Sequence, residues 1–141
     1  MRDIDIAKAN LEGHSICLCK DGKFFTKDDK GISPMVDLIG EGADLKGYSV
    51  SDLIVGKAAA MLFVLSGISC VHAVVLSQSG EDYLKSHNIE YTYDTLTERI
   101  INRMGTGACP METAVENIDD PKEGYEAIVK KREELRNKLT K

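Results

Sequence analysis

Two stretches of this chain carry residues whose types and spacing suit chemistry. The first is Asp52-Leu-Ile-Val-Gly-Lys-Ala-Ala-Ala-Met-Leu62. Asp52 to Val55 has strand character, Gly56 permits a sharp turn or a close approach, and the Ala/Met/Leu run after it is strongly helix-forming. The first amides of that helix, Lys57 to Ala59, lack acceptors within the helix and point partial positive charge outward. Lys57 adds a mobile cation at the same place. A strand, a Gly-Lys junction and a helix start make a seat for a phosphate or carboxylate. The same residues also read as a tight strand-to-helix turn with a surface lysine. The stretch is not a P-loop, because the upstream glycine spacing and the Ser/Thr after the lysine are missing.

The second stretch is Asn102-Arg-Met-Gly-Thr-Gly-Ala-Cys-Pro-Met-Glu112. Gly105 and Gly107 allow backbone to come close to a ligand. Cys109-Pro110 opens a helix and places the thiol near its N-cap, where the helix dipole and Arg103 favour the thiolate. Glu112 falls in the first turn, where a carboxylate complements the dipole or closes a capping box. Helix capping with a small apolar thiol is the alternative for Cys109. Asn102 and Arg103 beside two glycines are harder to explain as packing, and loops of this kind commonly carry function. Asp52 stands in an otherwise apolar strand and needs solvent or a partner. Lys57 or Arg103 would serve, as would a pocket at the C-terminal end of the strand, where ligands of open α/β sheets collect. His72 alternates with apolar neighbours and reads as a core or sheet-edge histidine, while His14 and His87 fall near element ends and read as surface residues.

The elements that must position these residues follow from pattern and punctuation. A short amphipathic helix spans Asp3 to Leu11. Ser15–Lys20 and Lys23–Lys27 are strands joined by Asp21-Gly22, a strong hairpin signal. Ser33-Pro34 starts a helix to Ile39, and a polar loop leads to a strand over Tyr48–Val55. The Lys57–Leu65 helix precedes a nearly continuous apolar strand, Cys70–Leu76, of the kind buried on both faces. Ser77–Gly80 reads as a turn, Glu81–His87 as a helix closed by Asn88, and Ile89–Tyr93 as a strand. Thr95–Arg103 fits a helix or a strand. Helices start near Pro110 and at Pro121, the second running to about Leu139 with Tyr125, Ile128, Val129 and Leu135 turned to the body. A hairpin followed by βαβ units implies a mixed sheet with helices around it.

Composition sets outer bounds. The 141 residues suit one domain, 1–141, and 43% hydrophobic with 29% charged content is ordinary for a soluble globular chain. A formal net charge of −5 argues against a nucleic-acid footprint. No apolar run has the length of a membrane span, and the amino-terminal residues lack a signal-peptide core. The expectation is a cytoplasmic protein without membrane or nucleic-acid partners. Cys17, Cys19 and Cys70 read as free, buried thiols.

Asp52-x-x-Val-Gly-Lys-Ala-Ala-Ala60 together with Asn102-Arg-x-Gly-Thr-Gly-x-Cys-Pro-Met-Glu112 resembles a prokaryotic family of unknown function, DUF1893, placed in the cytidine-deaminase-like superfamily. The resemblance covers nearly the whole chain. It implies a three-layer α/β/α sandwich with a mixed, about five-stranded sheet. The zinc chemistry of deaminases does not carry over. Where they open a helix with His-Ala-Glu or Cys-Ala-Glu, this chain has Gly56-Lys57-Ala58-Ala59. Where they place Pro-Cys-x-x-Cys, it has Ser77-Gln78-Ser79-Gly80, and Cys109 offers one thiol too late in the chain. With no set of three ligands, no zinc or other cofactor is expected. The function that fits is binding of a phosphate-bearing nucleotide or ADP-ribose-like ligand by Asp52, Gly56, Lys57, Asn102, Arg103, Gly105, Thr106 and Gly107. The alternative is a metal-independent enzyme with Cys109 as nucleophile, assisted by Glu112, Asp52 or His72. The apolar circumference of the Ala58–Leu65 helix, with the pairing habit of deaminase folds, leads to the expectation of a homo-oligomer, most simply a dimer.

Overall fold

The structure, a computed structural model, describes residues 2–100 and 109–139. Strands β1 (Ile16–Lys20) and β2 (Lys23–Lys27) form the hairpin expected from Asp21-Gly22. Both turn residues are left-handed, with φ of 53° and 79°, so the turn matches the twist of the strands it joins. The turn is also tied down. The backbone N–H groups of Asp21 and Gly22 each donate to the Asp3 carboxylate at 3.0 Å. Asp3 opens helix α1 (Asp3–Ala9).

Strand β3 (Ser49–Val55) pairs antiparallel with the other side of β1, and β4 (Cys70–Ser77) and β5 (Glu90–Thr97) follow in parallel. The five-stranded sheet runs β2-β1-β3-β4-β5 and is mixed. Helices α2 (Ser33–Gly40), α3 (Lys57–Ser66) and α4 (Gln78–Ser86) lie between and after these strands, and α5 (Pro110–Val115) and α6 (Pro121–Leu139) end the chain. Ile16, Leu18, Val50, Val71 and Ala73 share one buried cluster with residues of α2, α3 and α4. On α3 every residue from Ala58 to Phe63 is buried. That helix touches α2, α4, α5 and α6. Its apolar circumference is therefore accounted for within the chain, which removes the reason for expecting a partner there.

The opposite face of the sheet belongs to α1, which contacts β3, β1 and β4. Ala7 and Leu11 pack there on Cys17 and Cys19. The layers are thus α1, the sheet, and α2 to α4, with α5 and α6 laid on α3: the three-layer α/β/α sandwich with a mixed sheet. Cys17, Cys19 and Cys70 are free and buried, and burial pushes Cys17 and Cys70 up to about 11, leaving them as thiols at neutral pH. His72 is buried in β4, with Nδ1 2.7 Å from Thr92 Oγ1 and Nε2 3.3 Å from Asp94 Oδ1. Both partners sit on β5, so this histidine joins two strands.

Two boundaries differ from expectation. Ser77–Gly80 is not a free turn: the Ser77 hydroxyl accepts from the Gly80 N–H at 3.0 Å and caps α4, which starts at Gln78. Strand β5 runs on to Thr97 because β4 offers it partners as far as Ser77. Helix α6 starts as expected, with Asp120 Oδ2 accepting from the Glu123 N–H at 2.9 Å. It buries Ile128, packs Tyr125 and Val129 on the core, and ties Arg132 to Asp37 of α2 at 2.9 Å. Leu135 lies outside that core cluster. No helix among the described residues is long and apolar enough to cross a membrane.

Candidate functional site

Helix α3 begins directly after Gly56 with no side-chain cap of its own. Its first amides need acceptors from elsewhere, since buried donors without partners cost about 1–3 kcal/mol each. Helix α5 supplies them. The N–H of Lys57 donates to Glu112 Oε1 and the N–H of Ala58 to Glu112 Oε2, each at 2.8 Å. A carboxylate thus caps the positive end of a helix more than fifty residues away.

The fit leaves no room at Gly56. A Cβ built there would stand 2.2 Å from Glu112 Oε1. The backbone is extended, with φ of −109°, so the glycine is needed for space and not for conformation. On the other side of the same peptide lies Gly80 of α4, where a Cβ would be 3.0 Å from the Gly56 carbonyl carbon and 3.1 Å from Val55 O. Two glycines therefore let α4, the end of β3 and the Glu112 carboxylate stack in contact. Burial raises the Glu112 carboxyl above its ordinary range, and the two amides and Lys57 offset this in part.

This arrangement corrects one expectation. The amides of Lys57 and Ala58 are not available as a seat for a ligand phosphate, because the chain's own Glu112 occupies them. Nor does Glu112 cap its own helix. A signal was present in the sequence: an uncapped helix start after glycine requires an outside acceptor.

Beside the Glu112 contact opens a pocket of about 340 Å³. Lys57 lines it from α3, Ser79 from α4, Glu112, Thr113 and Glu116 from α5, and Glu98 to Ile100 from the chain leaving β5. It lies at the C-terminal edge of the parallel strands, the customary ligand position in open α/β sheets. Lys57 Nζ donates to Glu116 O at 3.2 Å and stands 4.0 Å from Asp119 Oδ1. Tyr83 OH donates to Asp119 O at 2.7 Å, fixing the α5–α6 connection against α4.

Of the residues singled out by sequence, Gly56, Lys57 and Glu112 come together. Asp52 does not join them among the described pocket residues. It is buried in β3, where its register neighbours are Ile16 and Ala73. Burial raises its carboxyl to about 7, against the opposing effect of the Leu53 and Ile54 amides. Cys109 is half-buried at the amino end of α5, and its thiol is not among the described pocket residues. Asn102, Arg103, Gly105, Thr106 and Gly107 lie outside the described residues. Sequence reasoning missed Ser79, Glu98, Arg99, Ile100, Thr113 and Glu116. The pair Glu98-Arg99 was within reach of the strand-end rule, had β5 been extended to Thr97.

The amino ends of α3 and α4 present Gly56, Lys57 and Ser77 to Gly80, and the Glu112 oxygens face amides. Among the described residues no three His, Cys, Asp or Glu side chains are grouped to hold a metal ion.

Comparison with solved structures gives 28% identity and a TM-score of 0.76 to a DUF1893 family protein (TM1506) from Thermotoga maritima, covering 83% of this chain and 80% of that one. A diaminohydroxyphosphoribosylaminopyrimidine deaminase/5-amino-6-(5-phosphoribosylamino)uracil reductase from the same organism shares 18% identity at a TM-score of 0.45, over 66% of this chain and 34% of its own. The comparison with curated proteins returned no match. The family model described as TM1506, a domain of unknown function (DUF1893), matches residues 7–131, which include β1 to β5, Gly56, Lys57 and Glu112, and the chain therefore belongs to the DUF1893 family.

Proposed function

We propose that this chain binds a small phosphate-bearing, nucleotide-like ligand in the pocket at the C-terminal edge of β3 to β5. The observation that carries the reading is the pocket itself: about 340 Å³, within the range of small-ligand sites, with Lys57 and Arg99 in its wall. The phosphate meets these two side chains and not the α3 amides. Lys57 has three N–H donors; it gives one to Glu116 O and stands 4.0 Å from Asp119 Oδ1, so a ligand anion would meet it in competition with Asp119. Glu98 and Glu116 carry acceptors for ribose hydroxyls or an exocyclic amine. A site with both signs of charge suits a ligand that presents an anionic end and a donor-rich end.

Calorimetric titration with ADP-ribose, AMP and CMP tests this. At least one is expected to bind, and Lys57→Ala is expected to weaken that binding by roughly 1–3 kcal/mol, the scale of one charge-assisted contact. Failure of all three to bind the wild type would remove the reading. Binding indifferent to Lys57→Ala would show the phosphate elsewhere.

A further inference from the structure

We propose that the outer edge of β5 pairs with the same edge of a second copy of this chain, antiparallel and centred on Tyr93, and joins two five-stranded sheets into one. Strand β5 ends the sheet, with β4 on one side and no described strand on the other. Among the described residues, the hydrogen bonds of its backbone run to β4. Every second N–H and C=O therefore faces outward, which is a template for another strand.

Folded chains ordinarily guard such an edge with lysine, proline or a bulge. The opposite edge, β2, is guarded: it is five residues long and carries Lys23 and Lys27 at its ends. Strand β5 has none of these devices. Its eight residues, Glu-Tyr-Thr-Tyr-Asp-Thr-Leu-Thr, hold no lysine, arginine, proline or glycine. Tyrosine and threonine are strong strand formers. Its register with β4 stays in step from Glu90 to Thr97, so no bulge turns the edge away. Tyr93 and Leu96 stand exposed on it.

Charge selects the occupant and the register. A two-fold axis perpendicular to the sheet runs the two copies of β5 antiparallel and keeps like faces together, so the axis must pass through a residue. Centred on Thr92, Glu90 would oppose Asp94 of the second copy. Centred on Asp94, that carboxylate would oppose itself. Both put like charges directly across the ladder, which is unfavourable. Centred on Tyr91 or Thr95, much of the strand has no partner. Centred on Tyr93, the ladder runs from Glu90 to Leu96 and no two carboxylates face each other. Asp94 then opposes Thr92 of the second copy, Tyr91 opposes Thr95, and Glu90 opposes Leu96. The two Tyr93 rings meet on the axis, on the face where the Tyr91 hydroxyl donates to Glu81 of α4. Aromatic and aromatic–β-branched cross-strand pairs are the favourable kind. One ladder is a small interface, so the dimer is weak and reversible, with a Kd on the order of 10 µM.

Sedimentation equilibrium of the whole chain tests the pairing. The wild type is expected to pass reversibly from monomer to dimer with concentration. Tyr93→Lys, which sets two cations on the axis, should raise the Kd at least tenfold with an unchanged far-UV circular dichroism spectrum. Leu53→Lys removes an equally exposed apolar side chain on β3, away from the edge, and should leave the Kd unchanged. Register is read by mild oxidation of single-cysteine replacements. Tyr93→Cys places two thiols opposite each other within disulfide reach and should cross-link rapidly, whereas Thr95→Cys, opposite Tyr91, should not exceed the wild-type background. A wild type that stays monomeric into the submillimolar range would overturn the proposal, and the edge would then suit a strand of another protein. Association unmoved by Tyr93→Lys, association lost equally in Leu53→Lys, or cross-linking of Thr95→Cys as fast as Tyr93→Cys would also overturn it. If Tyr93→Lys fails to fold, the two cysteine variants decide.

Discussion

Gly56→Ala is expected to destabilise the fold by about 3 kcal/mol, the scale of two charge-assisted hydrogen bonds lost together. The sign is the informative part. At an extended position such as this one, replacing glycine with alanine ordinarily stabilises by about 0.4–1 kcal/mol, because it restricts the unfolded chain. Here the new methyl would stand 2.2 Å from Glu112 Oε1, and its three nearest atoms all belong to that carboxylate. The side chain must leave, and α3 loses its cap. In a Glu112→Ala background there is nothing to displace, so Gly56→Ala should then be neutral or stabilising. Urea denaturation of the two single variants and the double variant gives the cycle. Additive losses in the double variant would show that the glycine serves something other than the carboxylate.

Asp52→Asn is expected to stabilise the protein by about 2 kcal/mol at pH 8 and to destabilise it by a similar amount near pH 4. Burial among strand neighbours raises Asp52 from its ordinary 3.8 to about 7. At low pH both folded and unfolded chains carry the proton, and the residue costs nothing. Between about 4 and 7 the unfolded chain has released the proton and the folded chain has not, so stability falls as pH rises. Above about 7 both are ionised and the full cost remains, about 4 kcal/mol from the separation of the two values. Asparagine keeps the shape and carries no charge, but its amide N–H groups need partners, so only part of that cost is recovered. Other carboxylates act in the opposite sense: Arg2 lowers Glu90, and the Gly22 amide lowers Asp3. The test is therefore the difference between variant and wild type in urea midpoints across pH. A difference that stays constant from pH 4 to 8 would refute the assignment.

What was legible in the sequence was local. Asp21-Gly22 specifies its hairpin because two left-handed residues in a row admit few other turns. Gly56-Lys57-Ala58 specifies a strand-to-helix junction because propensity changes abruptly there. Glu112 was legible only as a first-turn carboxylate. That it serves α3 instead of α5 depends on how α5 packs against α3 and α6, which no spacing along the chain encodes. Asp52 was recognisable as an oddity, but its distance from the pocket wall was not, since a strand pattern does not tell which side of a covered sheet stays dry. The reach of β5 to Thr97 was hidden because parallel pairing with β4, and not the composition of Thr95 to Thr97, decides it.

One helix, α1, is laid across the face of the sheet that carries Cys17 and Cys19. Seven residues cannot hold a helix in water, so α1 exists only while docked. Its moorings are the Arg2–Glu90 ion pair, the Asp3 contacts to the hairpin turn and a few apolar side chains. Undocking it exposes far less than unfolding the sheet and lies at the low end of the molecule's opening energies. Each opening presents Cys17 and Cys19 to solvent for a moment. A reagent that adds to Cys17 in that moment leaves bulk where Ala7 and Leu11 must return, so the helix cannot reseat. The thiol face thus behaves as a ratchet: excursions too rare to see at equilibrium accumulate, one captured chain at a time, into a population that has lost its first helix.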